Sequence, residues 1–106
     1  MSTQEYIVIY TTYPDEKCAK MIVQGLVEQK LAACGNLFKI SSIYQWKSKI
    51  EQADEFGVFI KTRKHLYDKV ETYIKEHHPY EVPEIISWPI ERGLPSYLDW
   101  IGKETT

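Results

Sequence analysis

The feature that most constrains this chain is a repeated change of hydrophobic period. Strand-like and helix-like segments alternate along its 106 residues. Tyr6-Ile7-Val8-Ile9-Tyr10-Thr11-Thr12 is an unbroken β-branched and aromatic run. A run without polar alternation has no solvent face, so it predicts a buried central strand. Pro14, Asp15 and Glu16 then suit the first turn of a helix, with Thr12 as the expected cap. Ala19, Ile22, Val23, Leu26 and Val27 recur at helical spacing and carry that helix to about Lys30. Gly25 inside it is costly and implies close packing, expected against a sheet.

From Leu37 to Trp46 the period falls to two. Phe38, Ile40, Ser42, Tyr44 and Trp46 share one face of a strand. Lys47-Ser48-Lys49 reads as a hairpin tip, and Phe56 to Thr62 as its return arm. The stretch 50–55 is left open. Helical spacing returns in Leu66, Val70, Tyr73, Ile74 and His77, with Glu71 and Lys75 as an i,i+4 pair. Pro79 ends that helix. Glu84 to Trp88 reads as a fourth strand closed by Pro89, which suits a sheet edge. Leu94, Tyr97, Leu98 and Ile101 predict a short last helix, with Ser96 as its cap and Asp99 completing a capping box.

Strand, helix, strand, strand, helix, strand and short helix in this order predict one α+β domain over residues 1–106, a split βαβ sandwich with an added C-terminal helix. Both long helices lie on one face of an antiparallel sheet. The other face carries some combination of Tyr10, Tyr44, Trp46, Phe59 and Trp88. Such a face needs a cover, and a second copy of the chain is the simplest one.

Composition excludes several classes. Hydrophobic residues at 43% and charged residues at 26% argue against disorder. Thirteen basic against fifteen acidic residues leave no positive excess for nucleic acid. No apolar run approaches the roughly 20 residues of a membrane span. Met1 to Glu5 show no secretory pattern, and Cys18 and Cys34 form no Cys-x-x-Cys pair, which together suggest a reducing, cytoplasmic setting.

His77-His78-Pro79-Tyr80-Glu81-Val82-Pro83-Glu84 is the densest polar constellation. Adjacent imidazoles suit Cu²⁺, Ni²⁺ or Zn²⁺, but a strong site needs three or four convergent donors. The plainer reading makes His77 a packed residue on the apolar stripe and His78 a cation at a helix end. Pro79 and Pro83 either stiffen a loop or aim Tyr80 and Glu84 into a cleft. Lys61 is either a solvated lysine or a cation facing an anionic ligand or Glu84. Cys34 has no neighbouring base to activate it. No phosphate loop, Ser-His-Asp pattern or H-E-x-x-H is present, so an enzymatic reading has little to stand on.

Thr11-Thr12-x-Pro14, Leu26-Val27-Glu28-x-x-Leu31-Ala32-Ala33-Cys34-x-Asn36, Tyr44-x-Trp46, Ile60-Lys61-Thr62, His78-Pro79-Tyr80-Glu81-Val82-Pro83-Glu84-Ile85 and Tyr97-Leu98-x-Trp100 occur in that order. Together they resemble the CutA family of divalent-cation tolerance proteins, over roughly Ile7 to Ile101. The resemblance implies a ferredoxin-like fold, a homotrimer and a role in the response to metal ions. It implies a copper site at His77 and His78, with Thr11 where some members carry a cysteine. It also implies a subunit cleft holding Cys34, Tyr44, Trp46, Lys61, Tyr80 and Glu84. Ser48 stands where many members have glycine. The similar architecture of PII signalling proteins offers an alternative, a sensor of a small anionic ligand that signals to a partner protein; a non-enzymatic scaffold for a protein partner is another.

Overall fold

The computed structural model describes residues 5–106. The Met1 to Gln4 start, read above for its lack of a leader, lies outside the described residues. The element order is β1 (Tyr6–Tyr13), α1 (Glu16–Glu28), β2 (Cys34–Trp46), β3 (Lys49–Arg63), α2 (Tyr67–His77), β4 (Ile85–Pro89) and α3 (Pro95–Lys103), with a 3-10 turn (Lys64–Leu66) leading into α2. One sheet has the strand order β2-β3-β1-β4, and all three pairings are antiparallel. This is the ferredoxin-like arrangement expected from the alternation of periods. The unbroken β1 run is central and the Pro-terminated β4 is an edge, as their chemistry requires.

The two sheet faces differ. Ile7, Ile9, Thr11 and Tyr13 of β1, with Val58, Ile60 and Thr62 of β3, are buried on one face. Ile22 and Leu26 of α1 and Val70 and Ile74 of α2 close the core over them. The opposite face shows Tyr10, Phe38, Phe59 and Trp88 as a chain of ring contacts 4.9 to 6.3 Å apart. Phe59, Ile86 and Trp88 remain 36%, 50% and 42% exposed there. Beyond the core the β2–β3 hairpin projects, so that the chain measures 50 × 25 × 22 Å. Ile43 and Ile50 on that arm are 71% and 75% exposed.

Local details correct the sequence reading in several places. Asp15, not Thr12, caps α1, because its extended backbone lets Oδ1 accept the Cys18 N–H at 2.8 Å. Thr12 stays in the strand. Helix α1 stops at Glu28, and Lys30 takes a left-handed φ of 60°. Gly25 faces α2 and not the sheet: a Cβ there would lie 1.9 Å from the Tyr73 hydroxyl. The open stretch 50–55 belongs to β3, paired with β2 down to Trp46↔Lys49. The tip is therefore two residues, Lys47 and Ser48, both with positive φ. Helix α3 begins on Pro95 with Leu94 as its cap residue, and Ser96 does not cap it. At the other end Arg63 Nε donates to the Thr105 hydroxyl at 2.9 Å, tying the tail to the sheet.

Candidate functional site

The α2–β4 loop builds the site. Its first residue is held from two sides. His78 Nδ1 accepts the Tyr80 N–H at 3.1 Å, which leaves the proton on Nε2. Nε2–H then donates to the Thr12 carbonyl at 2.7 Å. The imidazole also stacks on Tyr13, with centroids 4.8 Å apart and planes 23° apart. Burial lowers the His78 pKa, against weaker opposing effects from the Thr12 bond and Glu55. His78 is thus a neutral clamp that fixes the loop to the end of β1.

The clamped loop aims Tyr80 across the open sheet face. Its hydroxyl donates to Glu55 Oε2 at 2.6 Å. Glu55 is only 7% exposed. Burial and then the bond to that carboxylate raise the Tyr80 pKa, so the phenol stays protonated at neutral pH. Glu84 stands at the far end of the loop. Burial first, and repulsion from Glu55 second, raise its pKa. Both carboxylates also raise that of Tyr10, after burial.

Tyr80, Glu55 and Glu84 line a cleft of about 430 Å³ between the loop and the projecting hairpin. Its walls are Thr12, Tyr44, Trp46, Glu55, Pro79, Tyr80, Glu81, Val82 and Glu84, with no basic side chain among them. Three aromatic rings and three carboxylates therefore face one space. The cleft favours positive charge.

Four expected cleft residues meet here: Tyr44, Trp46, Tyr80 and Glu84. Cys34 and Lys61 do not. They pair with each other across β2 and β3, three residues along β3 from Val58, whereas Glu84 directly precedes the Ile85 of the Thr11 row. The Lys61 ammonium donates to the Asn36 side-chain carbonyl. Cys34 Sγ lies 3.5 Å from the Tyr97 hydroxyl, whose pKa rises to about 12, first through that contact and then through burial. Within one chain Lys61 thus lies away from the cleft that Glu84 lines. Sequence reasoning missed Glu55, Glu81 and Thr12. Glu55 lay in the stretch left open, and only the strand register places it opposite the loop.

A model of the CutA1 divalent ion tolerance protein matches residues 7–104. The chain belongs to that family. It is 50% identical to the CutA homolog of Xenopus laevis over 94 residues, which are 88% of this chain and 62% of that protein. It spans about half to three fifths of the length of the vertebrate relatives it matches. It is 40% identical to the CutA protein of Pyrococcus horikoshii over 93% of this chain and 97% of that one. The crystal structure of CutA1 from Oryza sativa superposes with a TM-score of 0.95 at 37% identity, covering 99% of this chain and 98% of that one. The family is described by tolerance of divalent ions and not by a reaction.

The histidine pair shows how far this CutA1 chain suits the copper set expected above. Both His78 nitrogens are engaged. His77, expected to be packed, is exposed instead: it stacks on Tyr73 at 4.2 Å and its Nδ1 bonds the Tyr73 carbonyl oxygen at 2.8 Å. The packed histidine is the neighbour. Thr11 is fully buried on the helix-covered face. Among the described residues no three His, Cys, Asp or Glu side chains, the cleft glutamates included, are grouped closely enough to hold a metal ion together. The set His77, His78 and Thr11 therefore does not fit a copper ion in this arrangement.

Proposed function

We propose that this protein binds cations, divalent metal ions first, at the cleft between the α2–β4 loop and the hairpin, and that it does so as a homotrimer. The observation that carries this reading is that Glu55, Glu81 and Glu84 line one cleft with no basic wall residue, and the raised pKa of Glu84 agrees with it. A cation entering there relieves the repulsion. Carboxylate, phenol and water oxygens suit hard ions such as Mg²⁺, Ca²⁺ or Mn²⁺. Cu²⁺ binds more tightly than the earlier first-row ions at most nitrogen and oxygen sites, so it belongs in the same titration. Family membership supports the metal link.

The trimer reading rests on the open sheet face and on the two exposed isoleucines of the arm. Large contiguous apolar surface on a small domain marks an interaction site. The anionic-ligand alternative rests on the likeness to PII architecture; Lys61 of the same chain adds nothing to it, because it lies away from the cleft and is engaged with Asn36. A cytoplasmic setting and a protein partner are consistent with this reading without carrying it.

The test is a thermal-shift and calorimetric titration with Mn²⁺, Cu²⁺ and phosphate. A ligand that binds only the folded state raises the melting temperature by mass action. The cations should stabilise the wild type and should lose at least tenfold in affinity in Glu55→Gln/Glu84→Gln. Stabilisation by phosphate alone would reverse the reading.

A further inference from the structure

The cleft has more apolar wall than a metal ion uses. Its volume of about 430 Å³ is an order of magnitude above the ~30 Å³ of one liquid water. An ion held by carboxylate and water oxygens would fill only a fraction of that volume. Tyr44, Trp46, Tyr80, Pro79 and Val82 line the remaining space. Aromatic faces beside carboxylates attract one further chemical class. An alkylammonium group is large, weakly hydrated and positive, so it gains from ring quadrupoles and from a nearby anion at once. Trp gives the strongest such face. The protein already shows the attraction, since Lys47 Nζ lies 5.8 Å from the Trp46 ring centroid. The clamped loop holds Tyr80 against Glu55, so part of the wall is set before any ligand arrives.

We infer that the cleft takes an organic ammonium cation, with Tyr44, Trp46 and Tyr80 walling its alkyl groups and Glu55 and Glu84 balancing its charge. This rests on the reading of the cleft as a cation site and names a second ligand class for it. A divalent ion and an organic ammonium group would compete there, so metal load and amine load would report on each other.

The test uses choline and its neutral carbon isostere 3,3-dimethylbutan-1-ol, followed by ¹H–¹⁵N NMR of the full chain. The chain has three Trp residues, hence three indole N–H signals. Trp46→Leu identifies the cleft signal by deleting it. Choline should shift the Trp46 signal saturably and at least tenfold more tightly than the isostere. Glu84→Gln should weaken choline at least fivefold, and Mn²⁺ should displace it. Equal affinity for the isostere, or choline binding unchanged by Glu84→Gln, would overturn the inference. If choline fails and Mn²⁺ still binds, this inference falls and the metal reading stands. If neither binds, both fall.

Discussion

Replacing His78 by Phe tests the clamp that shapes the cleft. The substitution keeps an aromatic ring against Tyr13 and removes both hydrogen bonds. A typical intramolecular hydrogen bond contributes about 1 kcal/mol net. The loss is larger here, because the Thr12 carbonyl belongs to a residue only 4% exposed and would be left without its partner. Leaving such a group unsatisfied costs about 1–3 kcal/mol. The expected destabilisation is therefore about 2–4 kcal/mol. With a urea slope of about 1–3 kcal/mol/M, the unfolding midpoint should fall by roughly 0.7–4 M. The assay is urea denaturation at one fixed protomer concentration, since assembly makes stability concentration-dependent. A second readout is the Tyr80 amide, whose hydrogen exchange should accelerate. A change under about 0.5 kcal/mol, with Tyr80 protection unaltered, would refute the clamp.

The same clamp sets a pH dependence. The folded His78 pKa lies below its ordinary 6.5, so the unfolded chain binds more protons. Its contribution to stability is complete above that value and is lost as pH falls through 6.5 towards the folded pKa; His78→Phe should flatten this decline in a pH series of melts. Glu84 has the opposite sign: a raised folded pKa means its charge destabilises the unliganded fold at neutral pH. Glu84→Gln should raise the melting temperature without cation while weakening cation binding. Ser48→Gly should stabilise by about 0.5–1 kcal/mol, because Ser48 holds a φ of 67° that glycine adopts without strain; chemical denaturation reads this directly. Gly25→Ala should cost about 1–2 kcal/mol, since the new methyl must displace the Tyr73 ring and this outweighs a helix-propensity gain of about 1 kcal/mol.

The architecture was legible because its signals are local. Unbroken β1, the two amphipathic helices and the proline-bounded β4 each carry a period that one fold reconciles. Three things were not local. The N-cap moved from Thr12 to Asp15 because β1 runs one residue past its β-branched run, to Tyr13, and the helix starts only at Glu16. Gly25 meets α2 because α1 and α2 lie side by side, which sequence alone does not say. The cleft depends on register: a strand reaching back to Lys49 puts Glu55 opposite the loop and leaves Lys61 beside Cys34. The histidine pair misled for a related reason. Helical spacing put His77 on the apolar stripe, but the helix ends there, and the packed environment belongs to the extended residue that follows. The flanking prolines pointed to Tyr80 and Glu84, and the family resemblance added Tyr44 and Trp46; geometry added Glu55, a further carboxylate in the same cleft.

The central claim is that cations bind at the carboxylate cleft and not at the histidine pair. Native mass spectrometry during a Mn²⁺ and Cu²⁺ titration tests it most directly, comparing wild type, His77→Ala and Glu55→Gln/Glu84→Gln. The account predicts a trimer that takes up one ion per subunit in the wild type and in His77→Ala, and none saturably in the double glutamate variant. Saturable uptake that survives the glutamate changes and disappears with His77 would contradict it.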